Sequence, residues 1–291
     1  MSPEQSASRA PAKTYCIIGD PVHHSLSPGM QNAAFNTLGL NCTYIAFRVP
    51  PGELAASIES LRAINIAGFN VTIPHKVQVM KYLDELDATA EKAGAVNTVN
   101  NVHGVLRGYN TDMHGFIAPL RRRNIDFKGM TVLLLGAGGA ARAIVAALSE
   151  EKQNIARVVI ANRDQKRALD LAEMGRSKFG LAECQALPFE EAEAASPEAD
   201  MIVNSTSIGL NNEPSPISCE HIKKGAIVYD IVYRPVVTDL IEQAKFAEAR
   251  VVYGYEMLVE QGALAFEIWT GMPAPRDVMK KNLLGIFGEP E

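Results

Sequence analysis

The stretch MTVLLLGAGGAARAIVAALSE, Met130 to Glu150, decides the fold. It opens with a short apolar run that reads as a buried strand, passes through a glycine-rich turn, and continues as an alanine-rich segment of helical character. Within it, GAGGAA (Gly136 to Ala141) meets the G-x-G-x-x-A spacing. That spacing is weak evidence alone, but between a strand and a helix it predicts a dinucleotide-binding turn. Gly136 permits the tight turn. The missing side chain at Gly138 lets a pyrophosphate approach the helix N-terminus, where free N–H groups and the helix dipole favour an anion. Ala141 lets the helix pack close, and Ala137, Gly139 and Ala140 complete the expected cofactor-binding loop. The alternative is a glycine turn that only packs a helix on a sheet.

Downstream, ARVVIANRD reads as the next strand. At its end an acidic residue favours NAD, whereas a basic one accommodates the 2′-phosphate of NADP. Asn162, Arg163 and Lys166 point to NADP, while Asp164 points the other way and leaves NAD open. For Lys166 a solvated helix face is the competing reading. DMIVNSTS, AIVYDIVY and VVYG supply further strands, and EMLVEQGALAFEIWTG and PAPRDVMKKNLLGIFG read as two closing helices.

Upstream, the same alternation predicts strands at YCIIGD, CTYIAFRV and IAGFNVTI, with a helix over SPGMQNAAFNTLG capped by Ser27 and another over GELAASIESLRA. NNVHG reads as a hairpin turn. The fold class is α/β with two domains, a mixed-sheet substrate domain and a Rossmann domain. The expected divisions are a disordered N-terminus at 1–13, a substrate domain at 14–112, a Rossmann domain at 113–254 and returning C-terminal helices at 255–291.

Composition limits the class of partner. The 291 residues are 47% hydrophobic, enough for two cores. With Lys+Arg 28 against Asp+Glu 33, the net charge of -5 offers no general attraction to nucleic acid or to an anionic membrane. Cys16, Cys42, Cys184 and Cys219 are scattered, with no C-x-x-C pair, as expected of buried thiols in a reducing compartment. The N-terminus lacks an apolar core and no window approaches a membrane span. These features together predict a cytoplasmic protein that works on small molecules; the sequence leaves monomer or homodimer open, since no feature separates a dimer face from an ordinary apolar surface. The histidines His23, His24 and His75 have no zinc-site spacing, so no metal is expected.

GFNVTIPHK, Gly68 to Lys76, ends an apolar strand on a lysine. A solvated loop lysine is one reading. The other is an amine held at the mouth of a cleft for proton transfer, which hydride chemistry at a carbinol carbon requires.

In chain order, HHSLSPGMQN, GFNVTIPHK, AGAVNT, GYNTD, GAGGAARA, NSTSIGL, YDIVYRP and MLVEQGALAFEIWTG together resemble the shikimate dehydrogenase family over nearly the whole chain after residue 13. The resemblance implies reversible, NADP-dependent reduction of 3-dehydroshikimate to shikimate, a step toward aromatic amino acids. It implies that Ser25 and Ser27 hold the substrate carboxylate with Thr72 supporting them, that Asn97, Asp112 and Gln261 hold ring hydroxyls, and that Lys76 and Asp112 form the catalytic pair. Tyr233 falls at a position near substrate and cofactor. Each has a plainer reading: helix caps for Ser25, Ser27 and Asp112, a turn for Asn97, a solvated helix face for Gln261, a structural core for Tyr233. Gln31 stands where the family commonly has histidine, and Asp164 where it commonly has Thr or Ser. A paralogue acting on quinate or aminoshikimate, with NADP or NAD, stays open. So does a non-catalytic dinucleotide-binding sensor.

Overall fold

The computed structural model describes residues 11–151 and 155–287. Its first unit is a mixed six-stranded sheet. The strands are β1 (Lys13–Gly19), β2 (Cys42–Arg48), β3 (Gly68–Val71), β4 (Glu85–Leu86), β5 (Thr98–Val102) and β6 (Val105–Tyr109), arranged β2-β1-β3-β5-β6-β4. β1 pairs in parallel with β2 and β3, whereas β5 runs antiparallel to both β3 and β6. The β5–β6 turn uses His103 at φ 54° and Gly104 at φ 88°, the left-handed pair that a tight hairpin needs. Helices α1 (Ser27–Thr37), α2 (Leu54–Ala63) and α3 (Ala88–Ala93) connect the strands.

α4 (Asp112–Arg122) leads into the second unit, a parallel sheet of β7 (Met130–Leu135), β8 (Ile155–Asn162), β9 (Cys184–Pro188), β10 (Met201–Asn204), β11 (Ile227–Asp230) and β12 (Arg250–Tyr253). Its order, β12-β11-β10-β7-β8-β9, is the 3-2-1-4-5-6 arrangement of a dinucleotide-binding sheet, with the switch point between β7 and β10. α5 (Gly139–Leu148), α6 (Gln165–Ser177), the single turn α7 (Ala192–Ala195) and α8 (Asp239–Phe246) cover its faces. The sheet reads as continuous apolar runs because both faces are buried, one by a cluster that includes Val132, Leu134, Val158 and Ile160, the other by one that includes Leu133, Leu135, Val159 and Val228.

The final helices, α9 (Gly254–Thr270) and α10 (Arg276–Phe287), return to the first unit and pack on α1. Trp269 anchors α9 there. Its ring stacks on Tyr15 at 4.9 Å and its indole N–H donates to the Val99 carbonyl at 3.0 Å. α9 also packs along α4, so the two helices that join the units lie side by side. A methyl group on Gly115 would sit 2.7 Å from the Gln261 Cβ, and this glycine is what lets them approach so closely.

Several local expectations change. Residues 1–10, most of the expected disordered segment, lie outside the described residues, while Lys13 already opens β1 opposite Cys42. Ser27 is inside α1 rather than capping it: Leu26 holds the N-cap position and no side chain caps the helix. β3 stops at Val71 because Thr72 to His75 form a turn, with the His75 N–H on the Thr72 carbonyl at 2.9 Å. β4 and β9 have too few β-branched residues to stand out in the sequence. All four cysteines are free; Cys16 and Cys184 are buried, while Cys42 and Cys219 are half-buried.

Candidate active site

Lys76 is held by its backbone before its side chain does anything. The buried His75 ring bonds the Val49 carbonyl at 2.6 Å, and the Lys76 carbonyl accepts the Val96 N–H at 2.7 Å. This fixes the lysine beside the segment that carries Asn97. Its ammonium donates to Asp112 Oδ2 at 2.6 Å, with the two side chains 15% and 5% exposed. A solvated loop lysine would not be sequestered in this way.

Asp112 occupies the first position of α4, where the helix dipole favours a carboxylate. Its side chain does not cap the helix. That hydrogen bond comes from Asn110, whose Oδ1 accepts the Met113 N–H at 3.2 Å, leaving both Asp112 oxygens for the site. Oδ1 accepts from Asn97 Nδ2 at 2.8 Å. Asn97 is buried and bonded at both ends of its amide: Nδ2 also lies 2.9 Å from Thr111 Oγ1 and 3.3 Å from Gln261 Oε1, while Oδ1 accepts the Thr111 N–H at 2.7 Å. Lys76, Asp112, Asn97 and Gln261 therefore meet in one cluster built from a turn, two helix positions and a strand approach.

The carboxylate end predicted by SLS is adjacent. Ser25 Oγ accepts the Ser27 N–H at 3.3 Å, and its hydroxyl lies beside the Tyr233 phenol of the second unit. Burial pushes the Tyr233 phenol up, against the Ser25 hydroxyl and nearby Arg234, which hold it down. Ser27 is buried beside Tyr44. Thr72 packs over Gly19, at which a methyl group would collide with its Cγ2.

The cofactor loop faces this cluster. Gly136 has φ 105°, and a methyl group there would lie 2.7 Å from Ser205 Oγ at the switch point. A methyl on Gly138, by contrast, would meet nothing within 4 Å. Gly138 is also the N-cap of α5 and provides no side chain to cap it, so the first-turn N–H groups face a surface that a pyrophosphate fits. At Gly139 a methyl would come within 2.9 Å of Lys76 Cβ. The substrate-side lysine thus packs its stem on the cofactor loop.

At the adenosine end the residues divide. Arg163 is exposed and has no ion-pair partner among the described residues. Asp164 caps α6, accepting the Arg167 N–H at 3.2 Å, and pairs with the Arg167 side chain at 3.2 Å. Lys166 pairs with Asp170 at 2.8 Å. Asn162 donates to the Asp164 carbonyl at 2.8 Å and shapes the turn. The residues fit a dinucleotide, with Arg163 free to meet a 2′-phosphate. Among the described residues, no group of three or more His, Cys, Asp or Glu converges as a metal site.

Comparison with known proteins matches this layout piece by piece. The family described as shikimate dehydrogenase substrate binding domain matches residues 17–99, shikimate / quinate 5-dehydrogenase matches 120–226, and the shikimate 5'-dehydrogenase C-terminal domain matches 254–284. A protein of Nitrosopumilus maritimus named shikimate dehydrogenase (NADP(+)) is 52% identical over 275 residues, covering 94% of this chain and 99% of its own. The chain belongs to the shikimate dehydrogenase family. The structure of the Thermus thermophilus shikimate 5-dehydrogenase, in complex with NADP(H) and shikimate, superposes with TM-score 0.81 at 38% identity, covering 93% of this chain and 98% of that one. The quinate dehydrogenase of Corynebacterium glutamicum, in complex with NAD, superposes with TM-score 0.84 at 26% identity over 94% of this chain and 99% of that one.

A shikimate dehydrogenase fold carries more of its site than motif reading found. Tyr44 donates to Asn70 Oδ1 at 2.6 Å, and Asn70 Nδ2 reaches the Asn97 carbonyl at 3.0 Å and Thr98 Oγ1 at 2.9 Å. A buried chain of hydrogen bonds thus runs from Tyr44 through Asn70 to Asn97 and the Lys76–Asp112 pair, with Ser27 beside its Tyr44 end. The available signal was an amide in the middle of GFNV, since a buried strand tolerates such a residue only when all its bonds are met.

Proposed function

We propose that this protein is an NADP-dependent shikimate dehydrogenase that interconverts 3-dehydroshikimate and shikimate, with Lys76 and Asp112 as its catalytic pair. The observation that carries the reading is the Lys76–Asp112 pair at 2.6 Å, bonded through Asn97 and packed on the cofactor loop at Gly139. When bound, the nicotinamide supplies a hydride in reduction and accepts one in oxidation.

The chain's own residues do the rest. Ser25, Ser27 and Thr72 hold the carboxylate, and Asn97, Gln261 and Asp112 hold the ring hydroxyls. In reduction the Lys76 ammonium passes a proton to the carbonyl oxygen as the carbon becomes a carbinol; in oxidation the amine takes it back. Asp112 aims the ammonium and steadies its charge. Gly136 to Ala140 receive the pyrophosphate, and Asn162, Arg163, Asp164 and Lys166 frame the adenosine end. Asp164 supports NADP less than a neutral cap would, yet its engagement with Arg167 takes much of its charge out of the phosphate's path. The protein works in the cytoplasm, a reading supported by four free thiols. Among the described residues no helix is long and apolar enough to cross a membrane.

Initial rates with shikimate and quinate, each crossed with NADP and NAD, test the reading. Shikimate with NADP should lead by at least an order of magnitude in kcat/KM. A lead for quinate or NAD would move the protein to the paralogue reading, and no turnover in any combination would remove the enzyme reading.

A further inference from the structure

Outside the hydrogen-bonded cluster, a depression of about 120 Å³ is lined by His24, Leu210, Asn211 and Arg234. It spans the two units. His24 belongs to the β1–α1 loop, Leu210 and Asn211 to the loop after β10, and Arg234 to the loop after β11. His24 and Arg234 are the exposed chain neighbours of Ser25 and Tyr233, which are half-buried and lie beside each other across the cleft. The depression is therefore the outer vestibule of the carboxylate end. Resting on the function proposed above, we propose that Arg234 is a specificity-determining residue that draws the substrate's carboxylate into this vestibule and toward Ser25 and Ser27.

The charges around it favour an anion. Arg234 has no ion-pair partner among the described residues, so its charge is uncompensated. The acid in the adjoining loop, Glu213, is engaged by the N–H groups of Gly209 and Asn211, both at 2.9 Å. Asp20, on the side of His23, is paired with Arg48 at 2.8 Å. Partial desolvation first, then His23 and Arg234, hold His24 below its ordinary value, so at neutral pH the guanidinium is the standing charge here. A cleft whose mouth carries one unopposed cation concentrates a small anion, and salt screens the effect within about 8–10 Å. The serines deeper in are neutral donors. They orient a carboxylate but exert no long-range pull.

The test is steady-state kinetics of Arg234→Gln against wild type at pH 8 over a range of ionic strength, with Arg250→Gln as a control for loss of one positive charge at the far end of the second sheet. At low salt, Arg234→Gln should lose about three- to tenfold in kcat/KM for shikimate, with kcat nearly kept. The gap should close at about 0.5 M salt, and Arg250→Gln should match wild type. The uncharged carboxamide analogue of shikimate should not distinguish Arg234→Gln from wild type. A salt-independent loss, a loss that falls on the KM for NADP, or equal losses for acid and amide would each overturn the proposal. Absence of turnover by wild type would instead strike the proposed function, so the two failures are distinguishable.

Discussion

Replacing Lys76 by methionine isolates its charge, because the stem that packs on Gly139 is retained. A positioned proton donor and acceptor contributes about 10²–10⁴-fold in rate, so kcat should fall by that factor, or about 3–5 kcal/mol in the barrier. The fold should also feel the change. Asp112, its side chain 5% exposed, loses its ammonium partner but keeps Asn97 Nδ2 at 2.8 Å and the start of α4. The cost should thus fall below the 3–5 kcal/mol of a fully buried broken pair, at about 1–3 kcal/mol. Adding Asp112→Asn in the same chain removes the stranded charge and should restore part of that stability. Kinetically the two substitutions should be strongly sub-additive, because residues that act as one unit are lost once. Urea unfolding and initial rates on the four proteins of this cycle provide the assay. A Lys76→Met enzyme within about threefold of wild-type kcat, or single losses that simply multiply in the double variant, would refute the joint proton-transfer role.

Gly139→Ala would place a methyl 2.9 Å from Lys76 Cβ, on a residue whose backbone cannot retreat. Overpacking of about 1–3 kcal/mol should appear as a roughly five- to hundredfold loss in kcat/KM; an unchanged value would mean the two units need not meet there. Asp164→Ser keeps a residue able to cap α6 and releases Arg167, so the NADP to NAD preference should rise about three- to thirtyfold by loss of a like charge, and an unmoved ratio would count against that placement. Burial raises Asp230 to about 6, against bonds from Thr238, Val232 and Asn204. The native state then holds a proton that the unfolded chain gives up above about 4, so this group's contribution to stability falls as pH rises from about 4 to 6 and levels off above. Melting temperatures of wild type and Asp230→Asn, measured over that window, should differ by a curve with this slope, and parallel curves would show that the carboxyl does not titrate there.

What the sequence made legible is what the backbone itself constrains. Gly136, at φ 105° against Ser205, sits where no other residue is easily placed, and the strand and helix flanking it declare their types by apolar run and alanine content. The hairpin turn at His103 and Gly104 was readable for the same reason. Side-chain assignments were less legible, since one residue type serves several ends. Ser27 has the look of a cap and instead lies inside α1; Asp112 has the same look, yet the Met113 N–H goes to Asn110. Lys166 offered a phosphate contact and is found on Asp170, one helical turn away. Tyr44 gave no sign at all, because an aromatic residue in a strand is ordinary and its hydroxyl meets its partner only after β2, β1 and β3 are laid side by side.

With the function proposed above, the buried chain from Tyr44 to Lys76 would let substrate and cofactor be handled by separate units without loss of aim. Each amide in it is bonded at both ends, Asn70 by three partners and Asn97 at both its oxygen and its nitrogen. In a low-dielectric interior an unmet polar group costs about 1–3 kcal/mol, so no member can rotate alone, and the carboxylate end and the proton-transfer end are held at a fixed separation. The second unit needs to align with only one point of that rigid half. Lys76 on Gly139 provides the point, and α4 beside α9 provides the axis. Asp112 begins the first of these helices and Gln261 lies in the second, so with the roles proposed above a motion about that axis would move the proposed catalytic groups directly, and a closing of the cleft would complete the site in the same step.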